Sequence, residues 1–467
     1  MDLILAIIVS VLLWQEAKAA PQWFPKKPCD INSSNYDFTK DVVKTSSGNL
    51  GYKEFAHRSQ RRNCYKPWTV LVFMTVGEDL KPFALWDIAE MERSGGDQNF
   101  QSASTIKSDV VVEYTKANTP LVKRLHLFES KTKSYEGLNE TDFYTSTDND
   151  IESPVVTTFN RKLRAPLEAN LSRFLKWGVR EYPATNYMVV IWGHGTGWKA
   201  KKQNDQALYG NVPLLGQAVR SAVNQSLEGK PIDIFISDAC LMQTVEVVNE
   251  ISDVTRYIIG SAQVQPYSGL PYGRIMAALN SDKNFGPQQV ELMAKLIPEL
   301  SQVKITETLS TISSFQLRSK LVPALYELSN QLHNYISVEP IRRLKLQQVV
   351  IQTPGYLGGF KESGDYLALL DKFIREEDIS NQNNIALKTA IENVNQALDL
   401  TVIRSVLGSQ HSKQARGLSI WLPETKEELL LRHEEFKRST FYTNGWGEWL
   451  GALYGFGGLG ELTIKFN

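Results

Sequence analysis

The sequence has few of the residues that several common kinds of functional site require. It has three cysteines and six histidines in 467 residues, and 51 basic side chains balance 51 acidic ones. A chain without net charge does not favour nucleic acid or an acidic membrane surface as its main partner. The histidines lack metal-ligand spacing, so no metal site is expected. No stretch beyond the N-terminus reaches eighteen apolar residues, so no membrane span is expected in the mature chain.

Two catalytic motifs are also missing. A serine hydrolase would carry G-x-S-x-G, which the sequence lacks. The glycines of Gly193-His194-Gly195-Thr196-Gly197 do not have the G-x-G-x-x-G spacing, and a Lys-rich loop follows them instead of an apolar helix. The first absence argues against a serine hydrolase, and the second argues against a dinucleotide-binding protein.

The N-terminus resembles a secretory signal peptide. Residues 3–14 form a short apolar run, and Ala17-Lys18-Ala19 offers a small-x-small cleavage site, although Met1-Asp2 supplies no basic residue. We therefore expect residues 1–19 to be a signal peptide and the protein to be exported, to a periplasm or out of the cell. Residues 20–66 are polar and irregular, and we interpret them as an N-terminal extension or pro-segment.

Export permits disulfide bonds. Cys29 and Cys64 both lie in the N-terminal extension, and a bond between them would leave Cys240 as the odd thiol. The alternative is that all three cysteines are reduced and unrelated.

Two apolar runs form the centre of the predicted fold. Residues 187–192 and 232–236 are short and rich in β-branched side chains, which is typical of strands buried on both faces of a parallel sheet. Residues 212–227 between them have apolar positions at helical spacing. A strand, a helix and a strand predict a right-handed crossover with the two strands parallel.

Each of these runs ends in a chemically useful residue. His194 follows the first run between two glycines, and Cys240 follows the second. Chemistry collects outside the carboxyl ends of parallel strands, and a histidine close to a cysteine favours a thiolate nucleophile. Cys240 is also expected to begin a helix over residues 241–251, whose dipole would stabilise the thiolate.

The remaining elements predict an α/β chain of two main parts. We expect a core over residues 67–325 and a C-terminal α/β region over residues 326–467 packed on it. Further predicted strands include residues 68–74 and 311–317, whereas residues 344–352 are of mixed pattern.

Four blocks of the sequence resemble the clostripain family of cysteine peptidases, which belongs to the caspase-like clan. The resemblance covers residues 68–423, and the His-Gly and Asp-Ala-Cys blocks are its most specific part. The blocks are Trp192-Gly193-His194-Gly195, Ser237-Asp238-Ala239-Cys240-Leu241-Met242, Gly269-Leu270-Pro271-Tyr272 and Gly417-Leu418-Ser419-Ile420.

The resemblance implies a caspase-like α/β/α sandwich with a mostly parallel central sheet and cleavage of peptides after Arg or Lys. It implies that Cys240 is the nucleophile and His194 the general base and acid, with the amides of Gly195 and Cys240 as oxyanion donors. Asp238 matches an acidic position of the pocket for the basic side chain, where a carboxylate pairs with a guanidinium or ammonium. Asp238 could instead cap the following helix.

The resemblance also bears on specificity and maturation. Relatives often carry further acidic residues in the segment where this sequence has Gln263, Gln265 and Ser268. Relatives mature by self-cleavage between His and Cys, where this chain offers three lysines. These candidate processing sites, which could equally be ordinary surface residues, are Lys199, Lys201 and Lys202.

Three expectations remain open. The chemistry needs no cofactor, but the resemblance makes Ca²⁺ possible, and the acidic segment 137–153 could hold such a cation or be a plain surface loop. The partner is a protein or peptide substrate, and a monomer is favoured. The rival function is a binding protein with a peptidase fold and no turnover.

Overall fold

The structure is a computed structural model. It describes residues 23–29, 42–44, 50–52, 64–77, 79–92, 103–116, 119–130, 143–144, 146–147, 150–160, 167–199, 212–281, 287–301, 303–376 and 382–456. The expected signal peptide, Lys201 and Lys202 lie outside these residues.

The strands fall into one large sheet and one small sheet. Their bounds are β1 Val42–Lys44, β2 Leu50–Tyr52, β3 Lys66–Val76, β4 Ser108–Lys116, β5 Leu121–His126, β6 Val155–Asn160, β7 Ala184–Trp192, β8 Ile232–Asp238, β9 Thr255–Gly260, β10 Thr308–Ser313, β11 Gly355–Tyr356, β12 Phe360–Glu362, β13 Val402–Leu407 and β14 Ser419–Trp421.

The helices flank the large sheet and fill the C-terminal region. Their bounds are α1 Lys81–Glu92, α2 Leu167–Glu181, α3 Val212–Ser226, α4 Val245–Ile251, α5 Tyr272–Asn280, α6 Pro287–Leu300, α7 Ser314–Gln316, α8 Val322–Val338, α9 Pro340–Gln352, α10 Ser363–Arg375, α11 Gln382–Thr401, α12 Lys426–Phe436 and α13 Gly447–Leu453. Two π-helical segments, Leu317–Leu321 and Tyr442–Trp446, precede α8 and α13.

In the described part of the chain, eleven strands form the large sheet in the order β1-β2-β6-β5-β4-β3-β7-β8-β9-β10-β13. Its five central strands, β4-β3-β7-β8-β9, run parallel to one another. Strands β5 and β10 pair antiparallel on either side of them. The inner positions of the central strands are mostly apolar, as expected for strands with helices on both faces.

The alternation of side chains along β3 shows how the sandwich is layered. Leu71 and Phe73 join an apolar cluster with α2 and α3, whereas Val70 and Val72 join a second cluster on the opposite face with α1, α5 and α6. Alternate residues of a strand point to opposite faces, so one strand supplies both cores. The expected caspase-like α/β/α sandwich is therefore present.

The C-terminal region packs on the face that carries α2 and α3. Side chains of α10, α11, β14 and α13 belong to the same apolar cluster as that face. Strands β11, β12 and β14 form the small antiparallel sheet. None of the described helices is both long and apolar enough to cross a lipid bilayer.

One predicted strand has the wrong bounds, and one stretch of mixed pattern is a helix. The strand expected at residues 311–317 is β10, Thr308–Ser313, and the chain turns helical at Ser314 because the Ser313 hydroxyl accepts a hydrogen bond from the amide of Gln316. The mixed stretch 344–352 lies within α9, which begins with Pro340 at a position that suits proline.

Candidate active site

The pairing of β7 with β8 sets the position of the candidate catalytic residues. Trp192, the last residue of β7, lies opposite Asp238, the last residue of β8, in the parallel register. His194 and Cys240 each follow two residues later, so they leave the sheet at the same level and on neighbouring strands. The structure thus brings together the two residues that the sequence places at strand ends.

A glycine allows the loop after β7 to approach Cys240 closely. A Cβ at Gly195 would collide with the carbonyl oxygen of Cys240 and lie 2.9 Å from its nitrogen. Real Cβ atoms do not approach backbone atoms so closely, so any side chain here would push the two loops apart. Gly195 therefore keeps the amides of both loops beside the thiol.

The chain turns sharply immediately after Cys240. Leu241 has a positive φ of 61°, a left-handed conformation that is strained for a leucine. Helix α4 begins only at Val245, and the hydroxyl of Thr244 caps it by accepting from the amide of Val247. The expectation that Cys240 begins this helix is therefore wrong, and the helix dipole does not act directly on its thiol.

The Cys240 thiol is partly buried among backbone amides. The N–H of Gln265 donates to Sγ at 3.4 Å, and the amides of Gly195 and Cys240 act with it to lower the pKa of the thiol. Burial is nevertheless the largest effect and raises the pKa of the Cys240 thiol, and the nearby Asp238 carboxylate acts in the same direction. Both effects favour the protonated thiol over the thiolate in the free chain.

Asp79 is a site residue that the sequence analysis missed. It follows β3, which pairs with β7 on the side away from β8, and its Oδ2 lies 2.9 Å from Nε2 of His194. The carboxylate is 60% exposed and the imidazole 29% exposed. Three adjacent strand ends thus supply a carboxylate, an imidazole and a thiol. The position of Asp79 just beyond a predicted parallel strand could have identified it as a candidate site residue.

Asp238 lies 5% exposed beneath the loop that follows β9. Its carboxylate accepts hydrogen bonds from the hydroxyl of Tyr272 at 2.7 Å, the side-chain amide of Gln265 at 3.3 Å and the backbone N–H of Leu270 at 3.3 Å. It does not cap α4. Burial raises the pKa of Asp238 above its ordinary value, because these neutral donors compensate the charge only in part.

A cavity of about 240 Å³ is lined by Gln265 and Leu270, which both donate to the Asp238 carboxylate, although Asp238 itself does not line it. Trp86 and Glu90 of α1 line one side, and the turn 265–271 lines another. Gln265 belongs to this lining and also donates to the thiol of Cys240. Gln265 thus connects the cavity to the nucleophile candidate, which does not itself line it. The lining also includes Arg274, Lys304 and Glu307.

Lys199 is buried, with 8% of its surface exposed. Its ammonium donates to the carbonyl oxygen of Gly358, lies 3.6 Å from a carboxylate oxygen of Glu428, and faces the rings of Phe360 and Trp421 at 4.9 and 5.5 Å. Burial lowers its pKa to about 8. As a processing site, Lys199 would first have to leave this cage, because a cleaved residue must place its side chain in the enzyme's pocket.

The other cysteines form a disulfide bond between Cys29 and Cys64. The sequence has three cysteines, so Cys240 carries the one free thiol of the chain. Among the described residues, no group of three or more His, Cys, Asp or Glu side chains could hold a metal ion. The Ca²⁺ that the resemblance makes possible stays a prediction, because much of the acidic segment 137–153 lies outside the described residues.

A parallel sheet with a thiol and an imidazole at its carboxyl edge is typical of a cysteine-type peptidase. A family model described as the clostripain family matches residues 72–450. The chain therefore belongs to the clostripain family and is a cysteine-type peptidase. No curated protein sequence matches the chain at a significant level.

Solved structures with the same fold include three C11 proteases. A secreted C11 cysteine protease from Bacteroides thetaiotaomicron, "iotapain", is 16% identical, with a TM-score of 0.55 over 82% of this chain and 99% of that one. An inactive zymogen C11 protease from Parabacteroides distasonis is 19% identical, with a TM-score of 0.55 over 81% and 98%. A secreted Bacteroides thetaiotaomicron C11 protease bound to an irreversible peptide inhibitor is 18% identical, with a TM-score of 0.51 over 82% and 99%. These likenesses confirm the expected fold.

The raised pKa of Cys240 predicts slow alkylation of the free enzyme at neutral pH. Only the thiolate reacts, so the rate constant with iodoacetamide should still be rising above pH 9, beyond the ordinary value of about 8.5 for a free cysteine. Intact-mass spectrometry across a pH series measures this rate at the one free thiol. A rate that levels off below pH 8 would show that the thiolate already exists without substrate.

Proposed function

We propose that the protein is an exported endopeptidase that uses Cys240 and His194 as a catalytic dyad and cleaves peptide bonds after Arg or Lys. The observation that carries this proposal is the β7–β8 register, which places both residues at one edge of the sheet. The free thiol, the amides around it and Asp238, which accepts from two residues of the cavity lining, support it.

In the first half of the reaction, a peptide carbonyl lies over Sγ of Cys240. Because Asp79 occupies Nε2 of His194, Nδ1 is the nitrogen that accepts the thiol proton. The thiolate attacks the carbonyl carbon, and the negative charge moves to the carbonyl oxygen. The amides of Gly195 and Cys240 stabilise that oxyanion, and such a donor contributes about 3 kcal/mol.

In the second half, the imidazolium of His194 returns its proton to the leaving amine nitrogen as the carbon–nitrogen bond breaks. A thioester links the new carboxyl terminus to Cys240. Water then attacks the thioester, and His194 accepts a proton from that water and returns one to the thiolate. No step passes through a metal ion.

Asp79 is a positioning residue in this scheme. Its carboxylate accepts from Nε2–H, which fixes the tautomer that leaves Nδ1 basic. It also stabilises the imidazolium that forms when the thiol loses its proton. The carboxylate is exposed, so the expected contribution is modest.

The cavity beside Gln265 is the proposed pocket for the P1 side chain, the residue on the amino side of the cleaved bond. Asp238 lies behind the turn that lines this cavity. The hydrogen-bond donors to its carboxylate are neutral and compensate its charge only in part. A guanidinium or ammonium ion in the cavity would complete that compensation. This favours Arg or Lys over neutral residues.

Export and maturation complete the proposal. The apolar N-terminal run and the Cys29–Cys64 disulfide both suit an oxidising compartment. Self-cleavage between His194 and Cys240 would divide the protein into two chains, one with each residue of the dyad. The burial of Lys199 leaves Lys201 and Lys202 as the stronger candidates for the cut.

Hydrolysis of fluorogenic peptides that end in Arg, Lys, Asn, Asp or Leu tests the proposed function. Turnover of the Arg and Lys peptides is expected, with none for Cys240→Ala and at least a roughly tenfold loss for Asp238→Asn on basic peptides. An active Cys240→Ala protein would exclude the dyad. Turnover restricted to a neutral P1 residue would support the catalytic dyad but exclude a pocket specific for Arg or Lys. Silence towards all five peptides, with Cys240 inert to alkylation, would favour a binding protein.

Substitution of Asp79 tests its positioning role. Asp79→Ala should lower kcat roughly fivefold, about 1 kcal/mol, with little change in KM, because the imidazole loses its orienting acceptor. Asp79→Asn, whose side-chain oxygen can still accept from Nε2, should recover much of kcat. An unchanged kcat in Asp79→Ala would remove Asp79 from the mechanism.

Intact-mass analysis of the exported protein tests maturation. The wild-type chain is expected to lose residues 1–19 and to be cut after Lys201 or Lys202, whereas Cys240→Ala should lose the leader and remain uncut. The double variant Lys201→Gln/Lys202→Gln should also remain uncut, and Lys199→Gln, the matched control, should still be cut. Cutting of the Cys240→Ala chain, in the absence of other proteases, would contradict self-cleavage.

A further inference from the structure

Two exposed tyrosines contact a buried phenylalanine of α1. Phe83 is in the first turn of this helix and is 5% exposed, whereas Tyr144 and Tyr267 are 60% and 61% exposed. The ring of Tyr267 stacks on the ring of Phe83 with centroids 4.8 Å apart, and the ring of Tyr144 meets it edge-on at 5.9 Å. We call these three rings the aromatic shelf.

The exposure of the two tyrosines stands out within the described part of the chain. No other aromatic residue there has so large an exposed fraction as Tyr144 or Tyr267. Tyr267 covers Phe83 with one face of its ring and leaves the rest open to solvent. A tyrosine held in this way presents a large apolar surface to a ligand at a small cost in side-chain entropy.

The strand order places the aromatic shelf beside the candidate dyad. Phe83 follows β3 and Tyr267 belongs to the loop after β9, whereas His194 and Cys240 follow β7 and β8. The order of these strands in the sheet is β3-β7-β8-β9. The contact between Phe83 and Tyr267 thus joins the two outer strand ends and bridges the two inner ones, which carry the dyad.

A short stretch of chain connects Tyr267 to the thiol. The backbone N–H of Gln265 donates to Sγ of Cys240, and Tyr267 is two residues further along. Two residues of extended chain span at most about 7 Å. Pro266 and Ser268, on either side of Tyr267, both line the cavity proposed for the P1 side chain. A substrate residue close to P1 therefore comes within reach of Tyr267.

The other end of the aromatic shelf begins at the imidazole. Oδ2 of Asp79 lies 2.9 Å from Nε2 of His194, and the chain reaches Phe83 four residues later. Trp86, which lines the cavity, is three residues beyond Phe83 and therefore neighbours it on the same face of α1. The aromatic shelf is thus continuous with the cavity wall along this helix.

The peptide substrate is the ligand that this position favours. An extended peptide presents a side chain about every 3.3 Å, so the residues next to P1 pass over the surroundings of the thiol. The three rings offer apolar surface and two phenolic hydroxyls but no charge. A large apolar side chain, and an aromatic one above all, gains most from contact with them.

We propose that the aromatic shelf is a second specificity site, which binds a large apolar or aromatic substrate side chain within two residues of P1. Tyr267 and Tyr144 are its specificity-determining residues. This inference rests on the proposed function and deepens it, although it requires only the dyad and not the preference for Arg or Lys.

Internally quenched peptides test the inference. Each has at P1 the residue that the wild-type enzyme cleaves best and glycine at P3, P2, P1′ and P2′, and Phe then replaces each glycine in turn. We expect one position at which Phe raises kcat/KM at least roughly fivefold over the all-glycine peptide, because the rings stack. Tyr267→Ala should remove most of that gain and leave kcat/KM for the all-glycine peptide within about twofold of the wild type.

Three further variants serve as controls. Tyr267→Phe keeps the ring and should keep the gain. Tyr144→Ala should reduce the gain by less than Tyr267→Ala, because Tyr144 is not on the loop that contacts the thiol. Tyr326→Ala removes a 50% exposed tyrosine of α8, in the C-terminal region, and should leave the gain unchanged. The gain is a ratio of two values from one enzyme sample, so it does not depend on the folding yield.

The outcomes separate this inference from the proposed function. A wild-type enzyme that cleaves the peptides but gains nothing from Phe at any position would overturn the inference alone. So would a gain that survives in Tyr267→Ala, or a loss shared equally by the Phe and all-glycine peptides, because Tyr267 would then only shape the turn beside Cys240. Absence of turnover for every peptide would overturn the proposed function and the inference with it.

Discussion

The parallel pairing of β3, β7 and β8 is the constraint on which the site depends. These strands are held in one register by backbone hydrogen bonds and by apolar clusters on both faces. A shift of one residue would turn every side chain of a strand to the opposite face, so burial of both faces fixes the register strongly. The residues that follow the three strands, Asp79, His194 and Cys240, are consequently brought together although they are far apart in the sequence.

The same burial creates the electrostatic character of the site. The thiol and the carboxyl of Asp238 are both removed from water, and the pKa of each is raised for that reason. Charges that form here are screened weakly, so amides and acids aimed at the substrate act more strongly than they would in water. In our account the free enzyme keeps a neutral thiol, and the arriving peptide supplies the cation and the oxyanion that complete the site.

Much of the fold and of the candidate site could be predicted because it depends on local patterns. The apolar runs before His194 and Cys240 predicted two buried parallel strands, and the strands placed both residues at one edge. Three features depend on tertiary contacts that no local pattern encodes. Asp79 reaches His194 from another strand end, Leu241 takes a left-handed conformation that delays the next helix, and Lys199 is buried under the C-terminal sheet. The composition of the Lys-rich loop indicated exposure, but aromatic rings contributed by distant segments cover its first lysine.

The most direct test of the central claim is covalent labelling with a peptidyl chloromethyl ketone that carries Arg at P1, followed by peptide mapping. The reagent needs a pocket that accepts a basic side chain in order to bind, and an activated nucleophile in order to react. It therefore tests both parts of the site in one measurement. Our account predicts a single adduct, on Cys240, that forms faster than with the matching Leu reagent and is slowed by loss of His194. Equal labelling rates with the two reagents would contradict a pocket specific for basic side chains. Labelling of another residue, or none while the protein is folded, would contradict the dyad.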